Sequence, residues 1–214
     1  MFFQIVRIIL YIPLFIFVPS RVKGRRNIPK GRCILVCNHT SAMDAIVLLH
    51  KVRRKMFLIG KKELFRNKFM AWFLPKVGAI SVDRENLDIT AIKTCLSVLK
   101  KEKILTIFPE GHRNRGDVDT LQEIKNGAAM LAIKSGSPIV PVWFKGKTGF
   151  FRFSRVYIGK PFALEQIKAD KESISEAGKI LGERLIELSE SVKKRKKIVK
   201  EDTLALESEQ QVEE

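Results

Sequence analysis

A histidine and an aspartate that follow an apolar run are the residues of this sequence best placed to do chemistry. Residues 33–37, Cys-Ile-Leu-Val-Cys, are consecutive apolar residues, which is typical of a strand buried on both faces of a parallel sheet. His39 comes directly after this run. Ser41 and Asp44 then have capping-box spacing before an apolar segment, which predicts a helix start. His39 therefore lies in the turn between a strand and a helix, where open α/β sheets bind their ligands.

The spacing of His39 and Asp44 decides whether the two side chains can act together. Residues five apart on one continuous helix point roughly 140° away from each other, so they would not meet there. They can meet if His39 lies in the turn and Asp44 in the first turn of the helix. A carboxylate beside an imidazole fixes its tautomer and stabilises its protonated form, which suits a general base. The alternative is a turn histidine followed by an aspartate that only caps the helix.

Two further polar clusters also follow predicted strands. Arg84 comes after the strand predicted at residues 78–82, and Glu110, Gly111 and Arg113 follow the strand predicted at residues 104–108. The guanidinium of Arg84 is suited to bind a phosphate through two hydrogen bonds. Lys125, further along the chain, is a weaker candidate of the same kind. Taken alone, Arg84 would more often be a solvated loop charge and Glu110 a turn carboxylate, whereas Lys125 could equally be a lysine on a helix face.

Strands and helices alternate along the chain, and they must position these residues. Besides the strands at residues 33–37, 78–82 and 104–108, four further strands are predicted, at residues 22–24, 56–60, 138–144 and 156–161. One helical pattern begins after Asp44 and another after a cap at Asn86 or Asp88. Three more cover residues 61–74, 121–136 and 173–197. This order predicts a single α/β domain whose mostly parallel, mixed sheet is flanked by helices. The prolines at 138 and 141 predict that strand 138–144 is an edge or irregular strand.

The two ends of the chain differ from the middle. Residues 1–21 are predicted to be a membrane-associating segment with an N-terminal helix, residues 22–198 the folded domain, and residues 199–214 an acidic, disordered tail. The uninterrupted apolar run at residues 8–18 is too short for the roughly 20 residues of a membrane span. A helix lying in one leaflet is therefore expected, and a tilted single span is the alternative. The aromatic residues within 61–74 are either core or a second membrane contact.

The charge balance predicts anionic partners. The net charge is +17, and because the last 14 residues hold six acidic and no basic side chains, residues 1–200 have 40 basic and 17 acidic side chains, a net charge of +23. Such a surface attracts nucleic acid, an anionic membrane or an acidic protein. The three cysteines lie in apolar segments without paired spacing, which predicts reduced thiols in the cytosol. No spacing of cysteines or histidines indicates a metal site.

Four motifs in order resemble the sequence blocks of the glycerolipid acyltransferase family, which includes the bacterial 1-acylglycerol-3-phosphate acyltransferases. They are Asn-His-x-x-x-x-Asp at residues 38–44, Gly-Ala-Ile-Ser-Val-Asp-Arg at residues 78–84, Phe-Pro-Glu-Gly-His-Arg at residues 108–113, and Ile-Val-Pro-Val at residues 139–142. The resemblance covers roughly residues 22–161. His112 is a departure, because the family usually has threonine there.

The resemblance implies a reaction and a role for each residue. His39 removes the proton from the acceptor hydroxyl and Asp44 supports it, while the hydroxyl attacks a thioester without a covalent enzyme intermediate. Arg84, Glu110 and Gly111 match the family's acceptor-binding residues, and Arg113 and Lys125 are added by position and charge. The implied product is phosphatidic acid, made from lysophosphatidic acid and an acyl thioester of acyl carrier protein or coenzyme A. No other cofactor and no metal is expected.

Other functions stay open at this stage. The acceptor could be another lysophospholipid or glycerol 3-phosphate. A basic peripheral protein that binds a membrane or nucleic acid without catalysis is the non-enzymatic alternative, although no nucleic-acid-binding motif is found and no nucleic-acid partner is expected. The expected location is the cytoplasmic face of the cell membrane, where anionic lipids would hold the protein as a peripheral or monotopic enzyme.

Overall fold

The computed structural model describes residue 9 and residues 11–83, 88–164 and 170–212, with side chains as far as Lys194. Within these residues the chain forms seven strands and six α-helices. The strands are β1 (Ser20–Lys23), β2 (Cys33–Cys37), β3 (Met56–Lys61), β4 (Ala79–Val82), β5 (Ile104–Ile107), β6 (Ile139–Lys145) and β7 (Ser154–Ile158). The helices are α1 (Tyr11–Phe17), α2 (Met43–Lys51), α3 (Lys68–Lys76), α4 (Ile89–Lys100), α5 (Gly127–Ser135) and α6 (Lys171–Val212).

All seven strands form one sheet in the order β1-β7-β6-β2-β5-β3-β4. The five strands from β6 to β4 are parallel to their neighbours, whereas β7 is antiparallel to β6 and β1 is parallel to β7. The apolar run that forms β2 is fully buried at the centre of the sheet, as expected for a strand covered on both faces. The predicted α/β class with a mostly parallel, mixed sheet is confirmed.

Helices cover both faces of the sheet. On one face α1 and α2 pack through residues such as Leu14 and Leu48. On the other face α4, α5 and α6 pack through residues such as Leu99, Leu131 and Leu185. Burial of these apolar side chains is the main favourable contribution to folding. Because β2 has a cluster on each side, the turn that follows it starts from a rigid position.

The carboxyl ends of the five parallel strands lie along one edge of the sheet. The segments that leave this edge include the turn after β2, the turn after β5 and the loop between β6 and β7. Since β1 runs in the opposite direction, its first residue, Ser20, lies at the same edge. The end of α1 is thereby brought close to the polar segments that the sequence singles out.

The prediction that residues 138–144 form an edge or irregular strand is wrong. The strand β6 lies between β7 and β2, well inside the sheet. Pro141 is tolerated because its nitrogen faces Gly159, beyond Ile158, where β7 ends; the Gly159 N–H in turn donates to the Pro141 carbonyl at 2.8 Å. The missing N–H of Pro141 therefore falls outside the ladder between β6 and β7, and the general confinement of proline to edges does not apply.

Two helices are shorter than their sequence patterns predict. Residues 61–74 divide into a 3-10 helix, Lys62–Phe65, and α3, because the Asn67 side chain accepts the N–H groups of Phe69 and Met70 and begins a new helix. The helix predicted over 121–136 begins only at Gly127, and Leu121 and Ile124 pack on the core from the preceding loop. Of the two predicted caps of α4, Asp88 accepts the Ala91 N–H, while Asn86 lies outside the described residues.

The structure describes both ends of the chain in part. The described part of the N-terminal segment includes α1 and contributes Val18, which is 2% exposed, to the core. The terminal helix α6 continues to Val212 through most of the segment predicted as a disordered tail. That segment holds leucine, alanine, glutamate and glutamine, which favour helix, and neither glycine nor proline to end it. None of the described helices is both long and apolar enough to cross a membrane.

Candidate active site

His39 and Asp44 meet at the carboxyl end of β2, which is the one of the two alternatives in which they can act together. His39 Nδ1 lies 3.0 Å from Asp44 Oδ2. The aspartate is in the first turn of α2 and has no exposed surface. Its Oδ2 also accepts the N–H groups of Thr40 at 2.7 Å and Ser41 at 2.8 Å. The helix start favours a negative charge at this position. The hydrogen bonds hold the carboxylate in one orientation.

The other carboxylate oxygen of Asp44 is held by two hydroxyl groups. Thr40 Oγ1 donates to Asp44 Oδ1 at 3.2 Å, and Thr148 Oγ1 donates to the same oxygen. Thr148 is in the loop between β6 and β7 and is 2% exposed. Sequence reasoning missed this residue, since 104 positions separate it from Asp44 and no local pattern marks it.

The imidazole of His39 is oriented but remains accessible. Its ring stacks on Phe108, with the ring centroids 4.2 Å apart and the planes 26° apart. The side chain is 15% exposed. With Nδ1–H donating to Asp44, Nε2 carries the free electron pair, and no described residue forms a hydrogen bond with it. This arrangement leaves Nε2 available to accept a proton from a bound molecule.

The turn that contains His39 is attached to its neighbours on both sides. Asn38 donates its side-chain amide to the Phe144 carbonyl at 3.0 Å and accepts the Phe144 N–H at 2.7 Å. The amide side chain therefore extends β2 by one rung toward β6. On the other side, the Asn114 N–H donates to the His39 carbonyl at 2.7 Å. The strand β6 on one side and the loop after β5 on the other thus fix this turn.

Glu110 forms a direct hydrogen bond with the turn that contains His39. The His39 N–H donates to Glu110 Oε1 at 2.6 Å. Glu110 is 1% exposed, and its second oxygen, Oε2, is buried without a hydrogen-bond partner in the described part of the chain. Burial raises the pKa of this carboxyl above its usual range, while the N–H groups of His39 and Gln122 act in the opposite direction.

Gly111 and Lys125 form one side of a cleft next to Glu110. Gly111 has a φ of 72°, and a Cβ at this position would lie 3.1 Å from Lys125 Cε. The Lys125 N–H donates to the Pro109 carbonyl at 2.8 Å, which holds the two segments together. The cleft, of about 180 Å³, is otherwise mostly apolar; its lining residues are Ile59, Val82, Ile107, Phe108, Pro109, Gly111, Lys125, Gly127 and Ala128. An apolar cleft with one cation suits an amphipathic ligand.

The remaining predicted site residues are Arg113 and Arg84. Arg113 is exposed on the turn after β5, next to His112, whose Nε2 lies 2.6 Å from Gln122 Oε1. Arg84 lies outside the described residues. The structure therefore brings together His39, Asp44 and Glu110 by direct hydrogen bonds, with Gly111 and Lys125 beside them.

A family model described as Acyltransferase matches residues 19–145. The chain belongs to the acyltransferase family. The match covers β1 to β6 and therefore every predicted site residue. Thr148 and the rest of the loop after β6 lie beyond it.

Curated relatives agree with this family assignment. The acyltransferase is 31% identical over 177 residues to the 1-acyl-sn-glycerol-3-phosphate acyltransferase of Bacillus subtilis, covering 78% of this chain and 87% of that protein. It is 35% identical to the protein of the same name from Streptococcus pneumoniae, covering 63% of this chain and 52% of that protein. The chain thus spans about half the length of the streptococcal relative.

A solved structure supports the fold of the acyltransferase. The crystal structure of the 1-acyl-sn-glycerophosphate acyltransferase from Thermotoga maritima superposes with a TM-score of 0.65 and 24% sequence identity, covering 87% of this chain and 78% of that chain. At this identity the likeness concerns the arrangement of the sheet and helices.

The cysteine closest to the site is not suited to be a nucleophile in this acyltransferase. Cys37 ends β2, two residues before His39, and has no exposed surface. Burial raises the pKa of its thiol well above the usual value, and the Asp44 carboxylate raises it further. Burial likewise raises the pKa of Cys33 to about 11. Both thiols stay protonated at neutral pH, and a thiol is a far weaker nucleophile than a thiolate.

Proposed function

We propose that this acyltransferase moves a fatty acyl chain from a thioester to the free hydroxyl of 1-acylglycerol 3-phosphate and so forms phosphatidic acid. The observation that carries the proposal is the His39–Asp44 pair, whose Nε2 is accessible while Nδ1 is fixed by a buried carboxylate. The relatives' names supply the acceptor. Another lysophospholipid or glycerol 3-phosphate is the alternative acceptor.

The reaction needs one proton to move twice. His39 Nε2 takes the proton of the acceptor hydroxyl as its oxygen attacks the thioester carbonyl, and the resulting tetrahedral intermediate expels the thiolate. The imidazolium then returns the proton to the departing sulfur. Asp44 does not take the proton; it holds the ring and stabilises its positive charge, as the carboxylate does in related histidine sites. No covalent acyl-enzyme is formed in this scheme, so no serine or cysteine nucleophile is required.

The acceptor's phosphate is proposed to lie where cations flank the cleft. Lys125 lines the cleft, and Val82, the last residue of β4, lies at the same edge, two positions before Arg84. Arg84 is proposed as the bidentate phosphate partner, with Lys125 and Arg113 as additional cations. Glu110 and Gly111 complete the acceptor site by holding the His39 turn and keeping the cleft open.

The co-substrate is proposed to be an acyl thioester of acyl carrier protein or coenzyme A. Proton transfer and acyl transfer require no redox group, so no further cofactor is expected. The basic surface suits either donor, because acyl carrier protein and the phosphates of coenzyme A would both present negative charge to it.

The enzyme is proposed to work at the cytoplasmic face of the cell membrane, held by anionic lipids as a peripheral or monotopic protein. Exposed apolar side chains on two helices support this location. Ile12 and Ile16 on α1 are 67% and 56% exposed, and Phe69 and Trp72 on α3 are 59% and 53% exposed. Such helices with basic neighbours are typical of interfacial anchoring. A single N-terminal span is the alternative.

A thioester-release assay tests the proposed reaction. Purified enzyme is supplied with acyl carrier protein or coenzyme A thioesters and with 1-acylglycerol 3-phosphate, other lysophospholipids or glycerol 3-phosphate. The substitution His39→Ala should lower the rate by about 10²–10⁴-fold, and Asp44→Asn should also impair it severely. His112→Ala is the matched control, because His112 contacts Gln122 at the surface and is outside the proposed mechanism.

Three outcomes decide between the possibilities. Phosphatidic acid formed fastest from 1-acylglycerol 3-phosphate, with activity lost in His39→Ala and kept in His112→Ala, supports the proposal. Faster turnover of another acceptor would replace the substrate and keep the mechanism. A His39→Ala enzyme with wild-type turnover at saturating acceptor would contradict the mechanism.

A further inference from the structure

The loop between β6 and β7 exposes three phenylalanine side chains that the proposed reaction does not use. Phe150, Phe151 and Phe153 are 60%, 73% and 57% exposed. Single exposed apolar residues are common, but a cluster of large apolar side chains usually marks a surface that binds something. We name residues 147–153 the Phe loop.

The backbone of the Phe loop holds its aromatic residues outward at a conformational cost. Gly149 to Arg152 form a tight turn, in which the Arg152 N–H donates to the Gly149 carbonyl at 3.3 Å. Phe151 at its tip has a φ of 55°, in the left-handed region that favours glycine or asparagine. Bulky residues in such conformations cluster at binding and active sites.

The Phe loop forms one surface with the end of α1. The Phe151 N–H donates to the Phe17 carbonyl at 2.7 Å, and the two rings meet edge to face with their centroids 5.3 Å apart. Phe17 is itself 42% exposed, and Ile16 beside it is 56% exposed. The apolar surface is therefore continuous from the N-terminal helix to the Phe loop.

Basic side chains flank this apolar surface. Lys147, Arg152 and Arg155 are exposed, and the Arg155 guanidinium lies 5.4 Å from the centre of the Phe153 ring. Residues 145–155 contain no acidic side chain. Aromatic rings that enter the headgroup region, with cations beside them that meet lipid phosphates, are the combination that binds an anionic bilayer.

We propose that the Phe loop binds an anionic bilayer surface, with Phe150, Phe151 and Phe153 inserted between the headgroups and Arg152 and Lys147 on lipid phosphates. This contact is additional to those of α1 and α3. It deepens the proposed membrane location, but its test measures vesicle binding and so does not depend on the proposed reaction.

Vesicle co-sedimentation tests the Phe loop. The double variant Phe150→Ser, Phe153→Ser leaves the Phe17–Phe151 contact intact and should bind phosphatidylglycerol-containing vesicles about tenfold or more weakly. Ile186→Ser is the matched control, because Ile186 is 46% exposed on α6, on the opposite face of the sheet. Arg152→Gln should weaken binding to anionic but not to neutral vesicles, whereas Lys179→Gln on α6 should not.

Two results would overturn the Phe loop as a lipid contact. One is a double variant with the wild-type affinity for anionic vesicles. The other is a double variant that changes the oligomeric state in size-exclusion chromatography while vesicle binding is unchanged, which would make the loop an interface between protein chains. Unfolding midpoints equal to those of Ile186→Ser show that any lost binding does not come from lost folding.

A separate observation carries a second inference, which rests on the proposed function. Thr148 is 2% exposed, and its hydroxyl donates to Asp44 Oδ1, opposite the oxygen that faces His39. We infer that Thr148 is a positioning residue, which sets the orientation of the Asp44 carboxylate and through it the tautomer of His39. It does not touch the reacting atoms.

The pair Thr148→Val and Thr148→Ser tests this role. Valine keeps the shape and removes the hydroxyl, so kcat should fall about tenfold or more while the KM of both substrates changes little. Serine keeps the hydroxyl and should recover most of kcat. Wild-type kcat in Thr148→Val, alongside an inactive His39→Ala enzyme, would overturn this inference and leave the proposed reaction standing. Equal losses in both variants would also overturn it, since packing alone would then explain the effect.

Discussion

At the scale of single residues, the carboxyl groups of Asp44 and Glu110 differ in the hydrogen bonds that they accept. Asp44 accepts hydrogen bonds on both oxygens, from backbone N–H groups, from His39 and from two threonine hydroxyls. Glu110 accepts the His39 N–H on one oxygen, while the other oxygen is buried without a partner in the described residues. The burial of Glu110 is therefore compensated by fewer hydrogen bonds than that of Asp44, and burial raises the pKa of Glu110.

The raised pKa of Glu110 predicts a pH-dependent stability. Its protonated form is favoured by folding, so this contribution is present below the usual glutamate value of 4.5 and is lost as the pH rises through the raised pKa of the folded state. Glu110→Gln cannot ionise and keeps an oxygen for the His39 N–H. The free energy of unfolding of the wild type, relative to Glu110→Gln, should therefore fall between acidic and neutral pH. Denaturant unfolding at several pH values measures this, and a difference that stays constant would contradict the prediction.

The proposed role of Arg84 predicts a change in the binding of the acceptor. The substitution Arg84→Ala should raise the KM for the phosphorylated acceptor by losing a charge-assisted hydrogen-bonded pair worth roughly 1.5–3 kcal/mol, and the donor KM should change little. Arg184→Ala is the matched control, since Arg184 lies on α6 and pairs with Glu187 at the surface. Steady-state kinetics with each substrate varied in turn separates the two effects. A raised donor KM with an unchanged acceptor KM would assign Arg84 to the thioester site.

At the scale of elements, the site depends on the connection between the turn after β2 and the strand β6. Asn38 makes both hydrogen bonds of this connection to the backbone of Phe144. Asn38→Ala leaves a buried N–H and carbonyl without partners, at about 1–3 kcal/mol each. Both the free energy of unfolding and kcat should fall, because the His39 turn loses its attachment. Asn126→Ala, at an exposed position without a side-chain cap, should change stability by under about 0.5 kcal/mol. Equal stability of the two variants would contradict this role of Asn38.

The same elements show why the sequence predicts only part of the molecule. The unit of β2, turn and α2 is predicted because apolar run, turn residues and cap are neighbours along the chain. The central place of β6 was not predicted, since its proline, Pro141, faces Gly159 beyond the end of β7, and this partner is distant in sequence. Contacts across long separations, such as Glu110 with His39 and Thr148 with Asp44, leave no local pattern. Gly78 is explained partly by local and partly by distant structure. Its φ of 95° favours glycine locally, and a Cβ at this position would also clash with the Met56 carbonyl oxygen of β3.

At the scale of the whole molecule, the net charge and the exposed apolar side chains would attract a membrane over different distances. The net charge of +17 acts over about 8 Å at physiological salt and is screened as salt rises. Apolar contacts of α1 with lipid act only on insertion and are insensitive to screening. Attachment to a membrane should therefore have a salt-sensitive part and a salt-resistant part, and the two parts can be separated by mutation.

Removing the salt-resistant part requires substitutions that spare the core. Deleting residues 1–19 would remove Val18, a buried core residue, so exposed side chains of α1 are the better target. The double variant Ile12→Ser, Ile16→Ser should stay on anionic vesicles at low salt and leave them at high salt, whereas the wild type stays bound longer as salt rises. Its turnover of detergent-dispersed acceptor should be close to that of Ile186→Ser, because neither isoleucine reaches the His39 site. Sedimentation over a salt series measures the first effect. A wild-type protein that does not bind anionic vesicles at low salt would contradict the electrostatic part, and a variant with an unchanged salt profile would contradict the role of α1.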